Sequence, residues 1–95
     1  TLPSNSFIAG INTKSDLIVS WFDEQAERCG KISLTTGVFT DMGQIGDLAG
    51  FMLPDKPYMY NDLLYIEGGG NAGTFLYIFD TVKGELIKTV TIRLN

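Results

Sequence analysis

Acidic side chains are concentrated in one short segment of this 95-residue chain, between Trp21 and Gly30. Asp23, Glu24 and Glu27 lie there close together, and Arg28 follows them directly. Two carboxyl groups held about 5–10 Å apart in a pocket can act as the acid and the base of a glycosidase. Spacing along the chain does not fix that distance, and a solvated acidic loop is the simpler interpretation. These residues are the first candidates for a polar ligand site.

Other catalytic and metal chemistries lack their residues. The chain contains no histidine and a single cysteine, Cys29. That composition excludes Ser-His-Asp and Cys-His nucleophiles, histidine-ligated zinc and cysteine-rich clusters. No calcium loop of the Asp-x-Asp-x-Asp-Gly type is present, so we expect neither a metal nor a cofactor. Cys29 cannot form an intrachain disulfide; we expect a half-buried residue at a strand edge, with a reactive or intermolecular thiol as the alternative.

The glycine-rich segment "EGGGNAG", Glu67 to Gly73, invites comparison with phosphate-binding loops. It lacks the Gly-Lys-Ser/Thr ending and a following helix, so it predicts a flexible loop between two strands, with Asn71 as its polar side chain. The net charge of −4 and seven scattered basic residues argue against nucleic-acid binding. No apolar run is long enough to span a membrane, and nothing indicates a compartment. Because the chain does not begin with Met, we expect a processed product or a piece of a longer chain.

The chain predicts an all-β fold. Short runs of β-branched and aromatic residues alternate with Gly, Asn, Asp and Pro. The one helix candidate, Trp21 to Gly30, holds only about two turns and is marginal on its own. Several of the runs are almost continuously apolar, which is typical of strands covered on both faces. The predicted strands are Asp16–Phe22, Lys31–Thr35, Asp62–Glu67, Thr74–Asp80 and Glu85–Leu94.

Similar segments occur twice, in the same order. "IAGI" from Ile8 matches "LAGF" from Leu48, 40 residues later, and "DLIVSWF" from Asp16 matches "DLLYIEG" from Asp62, 46 residues later. "ISLTTGVFT" likewise matches "LYIFDTVKGELIK". A six-residue insertion within Pro54–Asn61 would explain the change of offset. The single all-β unit, residues 1–95, is therefore predicted to contain one repeat at about 6–43 and another at about 44–95.

The pattern of "ISLTTGVFTDMG", then "LAGF", then "DLLYI", resembles the repeats of WD40-like and related β-propeller proteins. A period of about 40–50 residues with four strands per unit fits that resemblance. No Trp-Asp blade signature is present, so no subfamily is assigned. The resemblance implies two four-stranded antiparallel blades, with glycine turns at Gly37 and Gly84 where φ is positive. A compact β-sandwich or barrel is the alternative.

Two blades cannot close a ring, so the resemblance implies either a fragment of a larger propeller or a self-assembling ring. It places the loop between strands two and three on the rim where ligands bind. The rim segments are 23–30, 67–73 and 43–47. Their candidates are Asp23, Glu24, Glu27, Arg28 and Asn71, together with Trp21, which lies just before the first segment. Trp21 is alternatively a core residue. On the opposite rim, Tyr58, Met59 and Tyr60 are candidates for an interaction surface, unless they pack against the blade or a neighbouring copy.

The function that follows is a non-enzymatic, propeller-type binding scaffold of unknown ligand. It would bind a protein partner or associate with itself through blade edges. One alternative is a carbohydrate-binding ring with a site at each blade junction, in which a sugar or other small molecule would be the ligand. Another is a fragment of an acid-pair hydrolase. Fold alone does not choose among them.

Overall fold

The computed structural model describes residues 6–22, 27–45, 57–70 and 73–93. These ranges form eight strands in two four-stranded antiparallel sheets, each with its strands in chain order. They contain no helix, and so none that could cross a membrane. The predicted all-β fold with two such sheets is confirmed. The first sheet comprises β1 (Phe7–Ile11), β2 (Asp16–Phe22), β3 (Glu27–Ser33) and β4 (Phe39–Gln44); the second comprises β5 (Tyr58–Tyr60), β6 (Leu63–Gly70), β7 (Gly73–Asp80) and β8 (Glu85–Ile92).

Two segments predicted as loops extend strands instead. β3 begins at Glu27, four residues before the predicted start, because Glu27 pairs with Phe22 and continues the β2–β3 ladder. In the glycine-rich segment, pairing continues as far as Gly70 opposite Gly73. Each added pair satisfies backbone N–H and C=O groups that would otherwise need water. The predictions of loops at residues 27–30 and 68–70 are therefore wrong, while Glu67 lies in a strand as predicted.

The glycine turns between the third and fourth strands of each sheet are confirmed. Gly37 has a φ of 78° and donates its N–H to the Ser33 carbonyl at 2.7 Å; Gly84 has a φ of 73° and donates to the Asp80 carbonyl at 2.8 Å. The side chains of Ser33 and Asp80 each accept N–H groups two and three residues later. The two turns are built alike, and glycine is needed where φ is positive.

Hydrogen bonding fixes the offset between the two sheets at 47 residues. The Leu34 N–H donates to the Ser15 carbonyl at 3.0 Å, and the Thr81 N–H donates to the Asp62 carbonyl at the same distance. Ser15 and Asp62 are also alike in having positive φ angles, 60° and 67°. The predicted offset of 46 is thus one residue short. A slip of one residue moves every matched side chain to the opposite face of its sheet.

The first strand of the second sheet also differs from the prediction. The strand that pairs with β6 is β5, and it lies within the segment Pro54–Asn61 that was interpreted as an insertion. The predicted counterpart, Leu48–Phe51, lies outside the described residues. β5 therefore occupies the position that β1 holds in the first sheet.

The two sheets pack face to face, and their apolar inner faces form the core. The buried cluster contains Ile18, Cys29 and Ile45 on the side of the first sheet and Leu64, Ile66, Tyr77 and Phe79 from the second. At one edge β1 approaches β5 closely: a Cβ atom on Gly10 would lie 3.2 Å from Cβ and Cγ of Met59. Gly10 allows this approach because it has no side chain.

The two faces that meet in the core are not equivalent positions of the repeat, so the packing is front to back. With the offset of 47, Leu17 is equivalent to Leu64 and Ile18 to Tyr65. Ile18 and Leu64 are both fully buried in the core. Their equivalents, Tyr65 and Leu17, point to the outer faces, because side chains alternate along a strand. Each sheet thus uses the face that its counterpart leaves outside. Successive units of a radial repeat are related in this way.

Candidate functional site

The β2–β3 hairpin divides the predicted rim residues between two faces. Trp21 lies directly opposite Arg28, and Phe22 opposite Glu27. Because directly opposed residues share a face and neighbours alternate, Trp21 and Arg28 lie on the outer face while Glu27 lies on the inner face. Asp23 and Glu24 lie outside the described residues. The structure therefore does not bring Trp21, Arg28 and Glu27 into one site.

On the outer face, Trp21 is packed. It is 6% exposed, and its ring lies 5.8 Å from the ring of Phe39, tilted by 46°. Gly30 makes room for this contact, since a Cβ atom there would lie 2.8 Å from both the Phe39 ring and the Thr40 carbonyl oxygen. The indole face is consequently covered by another aromatic ring.

Arg28 is engaged in an ion pair on the same face. Its Nη2 lies 3.2 Å from Oδ2 and 3.3 Å from Oδ1 of Asp41. The Asp41 carboxylate also accepts the Gly43 N–H at 2.8 Å. Both side chains of the pair remain partly exposed, so the pair itself adds little stability. Its main effect is to hold the guanidinium over β4.

The inner face carries a buried polar group. Glu27 is 2% exposed, and it lies beside Ser20 and Cys29, which are fully buried. Burial raises the pKa of Glu27 to about 7, while the Ser20 hydroxyl lowers it in part. Among the described residues that hydroxyl has no hydrogen-bond partner of regular geometry. Ser20 and Glu27 therefore lie close together without a well-formed hydrogen bond.

Cys29 is fully buried in the core, not half-buried as expected. Burial, assisted by the charges of Asp41 and Glu27, raises the pKa of its thiol to about 12; Arg28 lowers it in part. A thiol with so high a pKa is a poor nucleophile at neutral pH. The location supports a packing role for Cys29.

The chemistry available to this cluster is limited. A carboxyl group with a pKa near 7 is suited to proton transfer, but it must reach the group it protonates. Glu27 is almost fully covered, and Asp41 on β4 lies on the opposite face of the sheet. Within the described ranges, no group of three acidic, histidine or cysteine side chains could hold a metal ion.

The second predicted surface is also divided by strand alternation. Tyr58 and Tyr60 point outward from β5 and are 65% and 59% exposed. Met59 points inward and packs against the core. The two tyrosines therefore remain candidates for an interaction surface, while Met59 belongs to the contact between the sheets. Asn71 lies outside the described residues.

Large apolar side chains are exposed on both outer faces, and of these Tyr58 and Tyr60 were named as candidates from the sequence. The almost continuous apolar runs indicated the others, because such runs supply apolar residues to both faces of a strand. The outer face of the first sheet exposes Ile8, Ile11 and Phe39, and the outer face of the second exposes Tyr58, Tyr60 and Ile92.

We compared the chain with protein-family models, with curated proteins and with solved structures. No family model matches it, and neither the curated proteins nor the solved structures gave a significant match.

Proposed function

We propose that this chain is a non-enzymatic, propeller-type interaction scaffold that binds protein surfaces through the outer faces of its two sheets. The observation that carries the proposal is the set of large apolar side chains exposed on both outer faces, with Ile11 60% and Tyr58 65% exposed. Contiguous exposed apolar surface on a small protein marks interaction sites. Tyrosine is also enriched at the centres of such interfaces.

Front-to-back packing supports the propeller part of the proposal. A radial repeat brings the front of each sheet against the back of the next, so both faces of every sheet are apolar. Leu17 and Tyr65, which point outward here, are equivalent to Leu64 and Ile18 of the core. The outer faces are thus built from the same positions as the inner ones.

The alternatives find less support among the described residues. A sugar site would use accessible aromatic rings, and the single tryptophan, Trp21, is packed against Phe39, which leaves Tyr58 and Tyr60 as its exposed candidates. An acid-pair hydrolase would need two carboxyl groups facing one pocket; of its three candidates, Glu27 is buried on the inner face, while Asp23 and Glu24 lie outside the described residues. Neither alternative is favoured by a specific contact.

The test replaces outer-face residues with threonine, which retains strand propensity. Ile8→Thr with Ile11→Thr alters the first sheet, and Tyr58→Thr with Tyr60→Thr alters the second. At a protein concentration low enough for the chain to be monomeric, we expect each substitution to change the free energy of unfolding by less than about 1 kcal/mol, since the side chains are exposed within one chain. Binding of an amphiphilic fluorescent dye to the folded protein should fall several-fold.

Leu64→Thr is the matched control on the inner face. It should cost about 2–4 kcal/mol, because it removes buried apolar volume and buries a hydroxyl. If the outer-face variants unfold the chain as readily as Leu64→Thr does, those faces are structural core, and the proposed function is wrong.

A further inference from the structure

We infer that the partner of these outer faces is a second copy of the same chain. The outer face of the first sheet of one copy packs on the outer face of the second sheet of the next, repeating the contact between the sheets within the chain. This inference rests on the proposed function, since it names the partner of the same surfaces. Three steps support it: the repeat offset, the equivalent contacts and the kind of side chain found there.

Register relates each contact inside the chain to one between copies. Ile11 pairs with Leu17, and Met59 pairs with Leu64. Leu17 and Leu64 are equivalent at the offset of 47, so their pairing partners, Ile11 and Met59, are equivalent at an offset of 48. Gly10 pairs with Ile18 and Tyr58 pairs with Tyr65, so Gly10 is likewise equivalent to Tyr58. The close approach of Gly10 to Met59 therefore predicts an approach of Tyr58 in one copy to Ile11 in the next.

A second contact gives a second pair. Inside the chain, Nδ2 of Asn12 lies 3.3 Å from Oγ1 of Thr81. Asn12 donates its backbone N–H to the Asp16 carbonyl, and Tyr60 pairs with Leu63. Because Asp16 is equivalent to Leu63, Asn12 is equivalent to Tyr60. Leu34 is equivalent to Thr81 through the turn hydrogen bonds. The repeated contact places Tyr60 of one copy against Leu34 of the next.

All four residues in these pairs are large, apolar or aromatic, and exposed. Ile11 is 60%, Leu34 is 53%, Tyr58 is 65% and Tyr60 is 59% exposed. The equivalent internal positions hold Gly10 and Met59, which are half-buried, and the buried hydrogen-bonded pair of Asn12 and Thr81. Exposed apolar side chains therefore occur where the repeated interface would cover them, which is the complementarity that a second copy requires.

Charge does not oppose this packing. On the outer face of the first sheet, the guanidinium of Arg28 lies beside the carboxylate of Asp41. The outer face of the second sheet carries Lys88 together with the carboxylates of Glu67, Asp80 and Glu85, and that of Asp80 accepts two N–H groups of its own turn. Neither face presents these charges as a single-sign patch that would repel the other.

The interface is heterologous, because two different faces meet. Each added copy leaves one free face at either end until a ring closes. Roughly four to eight sheets make a closed propeller, so the inference predicts a ring of about two to four copies. An isologous dimer, in which one face meets the same face of its partner, is excluded by this arrangement.

The test mixes two variants of the whole chain, Tyr60→Cys and Leu34→Cys, each of which adds one exposed cysteine to the buried Cys29. After mild oxidation, a non-reducing gel should show about ten-fold more disulfide-linked dimer in the mixture than in either variant alone, because the interface raises the effective thiol concentration. Disulfides form only where the two Cα atoms approach within about 7 Å. Light scattering on the unmodified chain should give one species, at a whole-number multiple of the chain mass.

Tyr60→Cys mixed with Ile92→Cys is the control, since both positions lie on the outer face of the second sheet. Equal cross-linking in this mixture, or in Tyr60→Cys alone, would overturn the heterologous interface. A monomeric mass at every concentration would overturn self-association. If the chain is monomeric but the threonine variants fold and lose dye binding, this inference fails while the proposed function stands.

Discussion

Asn12 and Thr81 form a buried hydrogen bond that joins the two sheets at their turns. Asn12 is 5% exposed and Thr81 is fully buried, and Nδ2 of Asn12 lies 3.3 Å from Oγ1 of Thr81. The amide oxygen of Asn12 accepts the N–H groups of Lys14 and Asp16, while the Thr81 hydroxyl donates to the Asp62 carbonyl. The Asn12 side chain thus stabilises its own turn and also binds the neighbouring sheet.

Replacing Asn12 should separate these two roles. Asn12→Ala leaves the Lys14 and Asp16 N–H groups without their partner, and we expect a loss of about 1–3 kcal/mol in the free energy of unfolding. Asn12→Asp keeps an acceptor for the turn but removes the donor to Thr81. A double-mutant cycle in urea, using Asn12→Ala and Thr81→Val, measures the bond between the sheets. Strictly additive effects would contradict a direct interaction.

Gly30 should not tolerate a side chain. A Cβ atom there would meet the Thr40 carbonyl oxygen at 2.8 Å, and a backbone atom cannot move aside as a flexible side chain would. We expect Gly30→Ala to cost about 1–3 kcal/mol, measured by chemical unfolding. Gly43 provides the comparison: it has open space around it but a φ of 98°, so Gly43→Ala should be strained without a clash. A neutral Gly30→Ala would show that β3 and β4 are farther apart.

Stability should fall as pH rises from about 4.5 to 7. Over that range the unfolded chain releases the Glu27 proton, while the folded chain, in which the pKa is about 7, retains it. The folded state therefore binds more protons, and the free energy of unfolding decreases with pH. The loss is complete above pH 7 and should amount to about 1–2 kcal/mol once solvent screening is allowed for.

Unfolding of Glu27→Gln between pH 4 and 8 checks this expectation. The variant should lack the decline that the unmodified chain shows, because glutamine does not titrate. Glu67→Gln, at an exposed position of β6, controls for removing a carboxylate. Identical pH profiles for the unmodified chain and Glu27→Gln would mean that Glu27 is not buried in its protonated form.

Cys29 should react with thiol reagents only when the chain opens. It is fully buried, and the pKa of its thiol is raised to about 12. Labelling by an aromatic disulfide at pH 8 should therefore be slow in the folded protein and complete in urea, because the thiolate is the attacking species. Thr40→Cys, at an exposed position of β4, supplies a rapid reference. Rapid labelling of Cys29 itself would show that the core is accessible.

The sheets were predictable from the sequence, but the relation between them was not. Runs of β-branched and aromatic residues located most strands, and glycine located both turns, because each reflects a local backbone requirement. The match of "DL" at Asp16 with "DL" at Asp62 suggested an offset of 46. Hydrogen bonds from Leu34 and Thr81 set it at 47, and no local property of the chain indicates that register.

The candidate site was predicted less well. Treating residues 23–30 as a loop grouped Glu27 with Arg28, whereas a strand sends them to opposite faces. Tyr58, Met59 and Tyr60 were divided for the same reason. Short strands of mixed composition are hard to distinguish from loops, since pairing with a distant segment decides their conformation.

Because the packing is front to back, the two outer surfaces of this small protein are different faces of the repeat. A sandwich whose two sheets bury the same face is complete once it has formed, because its outer surfaces face water. Here each sheet buries a different face, so adding one more sheet always re-creates the two surfaces that were present before. In the proposed ring, the number of sheets depends on the angle between neighbouring sheets, and we expect the absence of a side chain at Gly10, where β1 meets β5, to affect this angle.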